Sequence, residues 1–541
     1  MSHKCIVLNI WVRYTTIGLL TPKYTSTELV FFREIYNKFK HKIQKSEALI
    51  IKKTLKNEYL SNINKDVMAG IVVALALIPE AIGFSIVAGV DPMVGIYGAV
   101  CMAIVTAILG GRMGMISAAT GAMALILAGL FKEHGIEYML VATIFAGIIQ
   151  IFLGIIRVNK LMKFIPHSVM IGFVNALGIL IFMAQLPSFN GENWTMYAMV
   201  VVGLAIIYLF PYITKAVPSP LVAIIVVSAI AIFTGSGVRT VGDMGTITSS
   251  FPKLLIPNVI FSLNTFKIIL PYSISLAFVG LIETLLTAEI VDGMTDTSSN
   301  KTRECISQGI GNIVVGLFGG MASCAMIGQS VINVKSGGRT RLSSLTAGVV
   351  LMFLIIVLNS FVVKIPLAAL VAVMIMVSIS TFDWNSLKTM NKVPKLDTVV
   401  MLVTVGTVLF THNLAIGVFV GVVLSCMFFV SKIAKINIEY TIDRENGESV
   451  YKVHGQLFFA SAKHFVNEFR YDKNKKTVNI DFSNSHIWDH SAVNAIDKVV
   501  LKYHKMGIKV HIVGANTDSM TILDQVARFN KPGGLDREIG H

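Results

Sequence analysis

The chain has 541 residues, of which 54% are hydrophobic and 14% are charged, and its mean hydropathy is +0.70. This composition excludes an ordinary soluble globular protein and indicates that a lipid bilayer is the main surrounding medium. The formal net charge of +15 does not indicate a nucleic-acid partner, because the basic residues are distributed along the chain between apolar stretches.

Residues 1–65 differ from the remainder of the chain. The stretch 33–56 is basic and weakly amphipathic, and no signal-peptide cleavage pattern follows a charged amino-terminal region. This extension is consistent with a basic cytoplasmic segment on anionic lipid headgroups, with an unstructured tail, or with an upstream start codon chosen in error. We assign it no function.

Apolar stretches fill residues 66–433 with little interruption. They predict a polytopic α-helical membrane domain with about 14 transmembrane segments. If the amino terminus is cytoplasmic, the inside loops hold most of the lysines and arginines, whereas the outside loops hold Lys132, Arg239, Lys253 and Lys364. This positive-inside pattern predicts a multi-pass protein of the cell membrane with both chain ends in the cytoplasm.

Two apolar segments, residues 116–131 and 323–335, begin with small and hydroxyl residues in place of bulky ones. The first opens with Ser-Ala-Ala-Thr-Gly-Ala at 117–122, and the second opens with Ser-Cys-Ala at 323–325. We interpret them as half-helices whose N-termini lie inside the membrane, at corresponding points of the two halves of the chain.

Such a pair of half-helices indicates an anion transporter. A helix N-terminus carries unpaired N–H groups and a partial positive charge, so two of them directed at one point would bind an anion without a basic side chain. The Thr120 hydroxyl can donate to an anion oxygen, and Gly121 lets a ligand approach the backbone closely. Packing of small residues in a crowded bundle is the alternative explanation.

An ionisable residue, Glu283, is embedded in the apolar run 278–287. A carboxyl group in such surroundings is expected to face a partner or a water-filled cavity. Thr287 lies four residues later, on the same helical face. Carboxylate, hydroxyl and backbone carbonyl oxygens would together suit a sodium ion, while the same carboxyl group could instead carry a proton. The alternative is a structural glutamate that is hydrogen-bonded to a neighbouring helix.

After Lys432 the composition becomes that of a soluble α/β domain. Strand patterns at 451–459, 477–482 and 508–513 alternate with a polar helix, a helix at about 491–506 and a final helix. They predict a small sheet covered by helices over residues 437–530, followed by a tail at 531–541. Ser491 lies at a strand-to-helix turn, where we expect it to be an N-cap.

Four motifs carry a resemblance to a known family. They are Ala-Leu-Ala-Leu-Ile-Pro-Glu-Ala-Ile-Gly-Phe at 74–84, Asp-Pro-Met-Val-Gly-Ile-Tyr-Gly at 91–98, Gly-Leu-Ile-Glu-Thr-Leu-Leu-Thr at 280–287 and Ser-Gly-Gly-Arg-Thr at 336–340. They resemble the SulP family of inorganic anion transporters, and the C-terminal part resembles a STAS domain. Within the family the chain is most similar to prokaryotic sodium-dependent bicarbonate transporters. The resemblance implies 7+7 inverted repeats with core and gate domains, broken helices 3 and 10 around the substrate, and a homodimer.

The resemblance also implies particular site residues. It assigns the substrate to Phe84, Thr120, Gly121, Ala122, Gln329 and Ser330, and the coupling cation, Na+ or H+, to Glu283, Thr287 and Gly328. Glutamate stands at 283 where the family pattern leads us to expect aspartate. Glu80, next to Pro79, approaches the same pocket, caps backbone groups near the proline or pairs with a neighbouring helix.

Some family members have an arginine where this chain has Gln329. Without that fixed cation, the site must neutralise an anion with dipoles, hydrogen bonds and a co-bound cation, which favours symport. A glutamine that is hydrogen-bonded between helices without contact to substrate is the alternative.

In the C-terminal domain, Ser491 matches the serine that is phosphorylated in bacterial anti-sigma-factor antagonists. Their usual following glycine is replaced by Ala492, and a docking or dimer-stabilising role is the alternative.

The sequence does not indicate an enzyme, since it contains no phosphate-binding loop, no CxxC or HExxH metal set and no nucleophile elbow. We expect no cofactor other than Na+ as the coupling ion. The leading hypothesis is Na+-coupled bicarbonate symport by alternating access. The alternatives are a proton-coupled sulfate or dicarboxylate permease, a channel, or a membrane-anchored STAS scaffold with vestigial transport.

The cysteines are predicted to be small packing residues: Cys5, Cys101, Cys305, Cys324 and Cys426.

Overall fold

The computed structural model describes residues 58–214, 217–235, 237–245, 250–260, 262–442, 448–472 and 477–529, apart from the side chains of residues 161–163. Nearly all of the amino-terminal extension at 1–65 and the whole predicted tail at 531–541 lie outside these ranges. The chain divides into two compact units. One comprises Met1–Asn159 and Asn193–Val373, and the other comprises Lys160–Glu192 and Met374–His541.

The described residues of the first half of the membrane part form seven apolar segments. Its elements in order are α1 (Ile63–Ala88), α2 (Pro92–Leu109), β1 (Ser117–Ala119), α3 (Gly121–Ile155), α4 (His167–Met183), α5 (Trp194–Leu209), α6 (Ser219–Thr234) and the short α7 (Val241–Met244). The 35-residue α3 is two helices, because Gly135 interrupts it with φ 80° and ψ −175°, a conformation that glycine adopts without strain. The strand β1 and the first part of α3 together form one broken segment.

The second half repeats this order of segments. Its elements are α8 (Leu263–Thr295), α9 (Lys301–Leu317), β2 (Ser323–Ala325), α10 (Ile327–Lys335), α11 (Arg341–Val362), α12 (Leu367–Thr381), the short α13 (Trp384–Thr389), α14 (Lys395–Thr411) and α15 (Leu414–Ile433). Here β2 and the nine-residue α10 form the broken segment. Over the described residues, nine helices are by themselves long and apolar enough to cross a membrane, and α6 is a shorter apolar helix. The predicted polytopic helical domain with broken segments 3 and 10 is confirmed.

Close helix packing depends on small residues. A Cβ added to Gly147 of α3 would lie 2.5 Å from the carbonyl oxygen of Gly309, and a Cβ added to Gly309 of α9 would lie 2.5 Å from that of Gly147. Two helices can approach this closely only where neither has a side chain at the crossing. The second part of α3 and α9 therefore form a tight pair beside both broken segments.

The C-terminal domain is a four-stranded sheet with helices. Its elements are β3 (Asn437–Ile442), β4 (Ser449–Leu457), α16 (Ala462–Asn467), β5 (Thr477–Ile487), α17 (His490–His504), β6 (Lys509–Val513) and α18 (Thr517–Val526). The strand order is β3-β4-β5-β6, with β3 antiparallel to β4 and the other neighbours parallel. The predicted small α/β domain is confirmed. The strand β3 had not been predicted.

Ser491 is not the N-cap of its helix, which corrects the prediction from the sequence. The helix α17 begins at His490, and the N-cap is Asp489, whose Oδ1 accepts a hydrogen bond of 2.8 Å from Ala492 N. A carboxylate at this position also interacts favourably with the positive end of the helix dipole. Ser491 is left exposed in the first turn, and its phosphorylation stays a prediction.

Candidate functional site

The two short strands that precede the half-helices pair with each other. They are antiparallel in the register Ser117↔Ala325, Ala118↔Cys324 and Ala119↔Ser323, and Met326 N donates to Ile116 O at 2.9 Å. Extended backbone inside a membrane is tolerated only where its polar groups are paired or line a cavity, and this pairing satisfies that condition. The pairing brings the starts of α3 and α10 to one place, as the small residues predicted.

Neither half-helix is capped by a side chain. The N-caps Thr120 and Met326 are extended, and neither makes a side-chain bond to its helix. The first backbone N–H groups of a helix have no partner within the helix, so these groups stay available to a ligand. Gly121 and Ala122, in the first turn of α3, are buried and carry little or no side chain that would keep a ligand away from the backbone.

Glu283 lies at this meeting point. Its side chain is on α8 with only 8% exposure, and its Oε2 accepts hydrogen bonds from Thr120 Oγ1 at 3.4 Å and from Cys324 Sγ at 3.0 Å. Thr120 Oγ1 and Cys324 Sγ are themselves 3.2 Å apart. Both donors are neutral, and in the described ranges no lysine or arginine forms an ion pair with this carboxylate.

Cys324 was not expected at this position. The sequence predicts a packing residue at this position, whereas the Cys324 thiol contacts both Glu283 and Thr120 and is fully buried. Its place inside the second of the two unusual small-residue segments was the signal that could have identified it. The prediction that the cysteines are only packing residues is therefore wrong for Cys324.

Thr287 lies one helical turn from Glu283, but its contact differs from the one expected. Its Oγ1 donates to the backbone carbonyl of Glu283 at 2.7 Å, and its side chain is fully buried. The hydroxyl oxygen keeps lone pairs that could coordinate a cation. A neighbour, Thr284, accepts a hydrogen bond of 3.2 Å from Ala325 N and so ties α8 to β2, a contact that sequence reasoning missed.

The polar residues of α10 have different surroundings. Gln329 Nε2 donates to Glu80 Oε1 at 2.9 Å, and Gln329 Oε1 is buried and has no partner among the described residues. Ser330 Oγ accepts from Ile116 N at 3.0 Å, so this hydroxyl holds the backbone beside β1. Gly328 is exposed, and an added Cβ would meet nothing within 4 Å. Gln329 is thus linked to the predicted pocket residue Glu80, and Gly328 borders open space.

Phe84 lies one turn after Glu80 on α1 and is 2% exposed. It is therefore a buried side chain on the helix face that carries Glu80. All the predicted substrate and cation residues belong to the same compact unit. Direct contacts connect Glu283 with Thr120 and Gln329 with Glu80, and no described hydrogen bond joins these two pairs.

A polar stripe on α9, which was not predicted, holds both strands in place. Gln308 Nε2 donates to Ser117 Oγ of β1 at 2.8 Å and to Glu304 Oε1 at 3.0 Å. Asn312 Oδ1 accepts from Ser323 N of β2 at 2.8 Å, and its Nδ2 donates to Ser323 O at 3.0 Å. The spacing of Glu304, Gln308 and Asn312 by four residues places them on one face, which was visible in the sequence.

The fold and this site define a multi-pass membrane transporter of anions. Comparison with known families agrees: the Sulfate permease family matches residues 63–199 and 189–404, and the STAS domain matches residues 439–533. Putative sulfate transporter YbaR of Bacillus subtilis is 58% identical over 474 residues, which cover 88% of this chain and 99% of that protein. The chain therefore belongs to the sulfate permease, or SulP, family and carries a C-terminal STAS domain.

Two further comparisons concern bicarbonate transporters. Bicarbonate transporter BicA of Picosynechococcus sp. is 27% identical over 527 residues, which cover 87% of this chain and 92% of that protein. The solved transmembrane domain of a cyanobacterium bicarbonate transporter BicA matches with a TM-score of 0.60 at 26% identity, covering 68% of this chain and 98% of that chain. The predicted resemblance to the family and to these transporters is confirmed.

Proposed function

We propose that this protein is a secondary active transporter that couples bicarbonate uptake to sodium by alternating access. The observation that carries the proposal is Glu283, a buried carboxylate that contacts Thr120 and Cys324 and has no ion pair among the described residues. An ionised carboxylate without a basic partner is unfavourable in such surroundings unless a cation binds to it. A cation bound there stands directly beside the start of α3, where the anion is held.

The charges around the site favour a monovalent anion. The anion is held by the N-termini of α3 and α10 and by the Gln329 amide, and also by the Thr120 hydroxyl once the cation takes its place at Glu283. Glu80 and Glu283 add negative charge. A doubly charged anion would require more positive compensation than dipoles and one sodium ion supply. Bicarbonate meets this condition better than sulfate.

The proposed sodium ligands are oxygen atoms. They are the Glu283 carboxylate, the Thr287 hydroxyl and the backbone carbonyl of Gly328. The Thr287 proton is directed to Glu283 O, which leaves the oxygen lone pairs available, and no side chain obstructs the space beside Gly328. Sodium is a hard cation that prefers such ligands. The ion is a transported coupling ion.

A proton-coupled sulfate permease is the second candidate. It is favoured by the 58% identity to a protein named as a putative sulfate transporter. In this case Glu283 carries the coupling proton, and Thr120 and Cys324 remain its neighbours. A membrane-anchored STAS scaffold without transport has no such observation in its favour, since it does not require a buried carboxylate at the paired strands.

The test is uptake of labelled bicarbonate and labelled sulfate by the purified full chain in proteoliposomes. An inward sodium gradient, an inward proton gradient and no gradient are compared. Bicarbonate uptake that needs sodium and falls at least about tenfold in Glu283→Gln supports the proposal, because the variant keeps the shape but removes the charge that binds the cation. Glu289→Gln on the same helix is the matched control, since Glu289 is half exposed and pairs with Lys301 at the surface.

Other outcomes identify the alternatives. Proton-driven sulfate uptake that is lost in Glu283→Gln supports the second candidate and contradicts the first. Uptake that equilibrates without any gradient indicates a channel. Absence of uptake of both anions contradicts both candidates and leaves transport of another anion or the scaffold. We further propose that the protein resides in the cell membrane and that it is a homodimer. Native mass spectrometry of the detergent-solubilised chain checks the oligomeric state.

A further inference from the structure

Two large apolar side chains are exposed at one end of the sheet in the C-terminal domain. Phe459 is 64% exposed and Trp488 is 60% exposed. They follow β4 and β5, which are parallel and end side by side in the register Leu457↔Ile487. Both loops therefore lie at the same end of the sheet. We call Phe459 and Trp488 the aromatic pair.

Hydrogen bonds hold the aromatic pair in place. Trp488 N donates to Leu457 O at 3.0 Å, and Trp488 Nε1 donates to Gln456 Oε1 at 2.6 Å. Phe459 N donates to Asp489 Oδ2 at 2.8 Å. The two loops are thus tied to each other, and the exposed rings are presented by ordered backbone.

This end of the sheet is the one closest along the chain to the membrane. The last membrane helix, α15, ends at Ile433, and β3 begins four residues later at Asn437, opposite His454 of β4. The carbonyl oxygen of Lys435 is 3.1 Å from the position of a Cβ added to Gly455. The four residue steps from Ile433 to Asn437 span at most about 14 Å, and neighbouring strands are about 4.8 Å apart, so the ends of β4 and β5 lie within reach of the membrane surface.

The surrounding charge suits an anionic lipid surface. Lys432 and Lys435, on either side of the end of α15, are both exposed, and Lys463 at the start of α16 is exposed beside the Phe459 loop. Basic residues next to a membrane helix are attracted to anionic headgroups. Two acidic residues lie at this end of the sheet among the described residues. Asp489 accepts bonds from Phe459 N and Ala492 N, and Glu439 lies 3.6 Å from His454 Nε2.

We propose that the aromatic pair inserts into the headgroup region of the bilayer that holds α15, with anionic lipid bound by the adjacent lysines. Tryptophan and phenylalanine are favoured at this depth, where apolar rings meet apolar chains and the indole N–H stays hydrogen-bonded. A second copy of the chain fits the surface less well. The exposed neighbours His490 and Ser491 are polar, and two rings are much less than the area that a stable protein interface buries.

The test uses the full chain in nanodiscs that contain anionic lipid. Trp11, Trp194 and Trp384 are replaced by phenylalanine, so Trp488 is the single remaining tryptophan of the four in the chain. Lipids brominated near the headgroup quench a tryptophan that contacts the bilayer. The control chain carries Trp488→Phe and Lys505→Trp instead. This change moves the fluorescent reporter to the exposed far end of α17, which is 15 residues and therefore about 22 Å long. Thermal unfolding of the two purified chains confirms that both are folded.

We expect brominated lipid to remove about half of the Trp488 emission and to leave the tryptophan at 505 unchanged, because only the first lies at the interface. Replacing anionic by zwitterionic lipid should reduce the quenching of Trp488. If Trp488 is quenched by aqueous iodide as strongly as the tryptophan at 505, and not by lipid, the pair lies in water and the proposal is wrong. Protection of Trp488 from both quenchers would mean that protein covers it, which also overturns the proposal. Neither outcome depends on which ion the protein transports.

Discussion

Glu283 is the residue on which the proposed coupling depends. A buried carboxylate commonly has a lysine or arginine beside it, and here the contacting groups are the Thr120 hydroxyl and the Cys324 thiol. Such neutral donors stabilise the negative charge without cancelling it. The remaining charge can attract a cation from solution, and this distinguishes a coupling site from a structural ion pair.

Cys324 is expected to tune the affinity of this site for its cation. Its thiol donates to the same Oε2 that a cation would contact, so the hydrogen bond must be lost or turned away when the cation binds. We predict that Cys324→Ala lowers the half-saturating concentration of the coupling cation, by up to about tenfold. An ordinary hydrogen bond contributes about 0.5–1.5 kcal/mol and a thiol is a weak donor, and here the bond stabilises the cation-free state.

Uptake measured against cation concentration checks this prediction. Cys324→Ser retains a donor of similar size and should stay within about threefold of the natural protein. An unchanged half-saturation in Cys324→Ala, with normal maximal uptake, would show that the thiol does not act on Glu283.

Thr287 illustrates how a spacing can be correct while the contact differs. The interval of four residues placed it on the face of Glu283, and the structure agrees with that placement. A threonine inside a helix commonly donates to the carbonyl four residues earlier, and this local bond competes with any bond to the carboxylate. The spacing alone could not decide between the two.

The helix α9 positions the site without contacting Glu283. Gln308 holds Ser117 of β1, and Asn312 holds both backbone groups of Ser323 in β2. One helix face therefore fixes both strands, and through them the starts of both half-helices.

A second anchor lies before α11, where Asp66 accepts bonds from Arg339 N at 2.7 Å and from Thr340 N at 3.1 Å. This contact gives the Ser-Gly-Gly-Arg-Thr motif a structural role.

We predict that Asn312→Ala destabilises the membrane domain by at least about 3 kcal/mol and removes most of the transport activity. The change removes the hydrogen bonds that Asn312 makes to the buried N–H and C=O of Ser323 and to Oε1 of Gln150. Each buried polar group that loses its partner costs about 1–3 kcal/mol. Thermal unfolding of the purified chain and anion uptake are the measurements.

Ser307→Ala is the matched control on the same helix. Ser307 is also buried, but its Oγ has no hydrogen-bond partner among the described residues, so its loss should change stability by less than about 0.5 kcal/mol. Equal effects of the two substitutions would show that α9 is merely sensitive to small cavities and does not hold the strands.

At the scale of the whole molecule, the positive-inside pattern predicts the sidedness of the chain. Cysteine introduced at Lys253 should react with a membrane-impermeant maleimide in intact cells, whereas cysteine at Lys505 should react only after permeabilisation. Both positions are exposed. Cys5 and Cys426 are replaced by alanine beforehand, since Cys426 is exposed and the other described cysteines are buried. Labelling in the reverse order would contradict the predicted cytoplasmic ends.

Much of the fold could be predicted from the sequence because its signals are local. Apolar length identified the membrane segments, and the small residues at 117–122 and 323–325 identified the places where the helices are interrupted. Alternating strand and helix patterns identified the C-terminal domain, although β5 extends to Ile487, beyond the expected strand, and β3 was missed. A strand such as β3 has a partly exposed, weakly alternating pattern that gains its stability from pairing with β4.

The sequence by itself determined the membrane class, the two interruptions and the unusual position of Glu283, because hydropathy and helix breaking are properties of short segments. Only the tertiary structure decided which groups meet. Cys324 and Thr120 are 204 positions apart, and Asn312 and Gln150 are 162 apart. Contacts over such separations depend on strand pairing and helix packing, and a residue type alone does not specify its partner. For the same reason the sequence suggested Ser491 as an N-cap, whereas the backbone of the folded domain gave that role to Asp489.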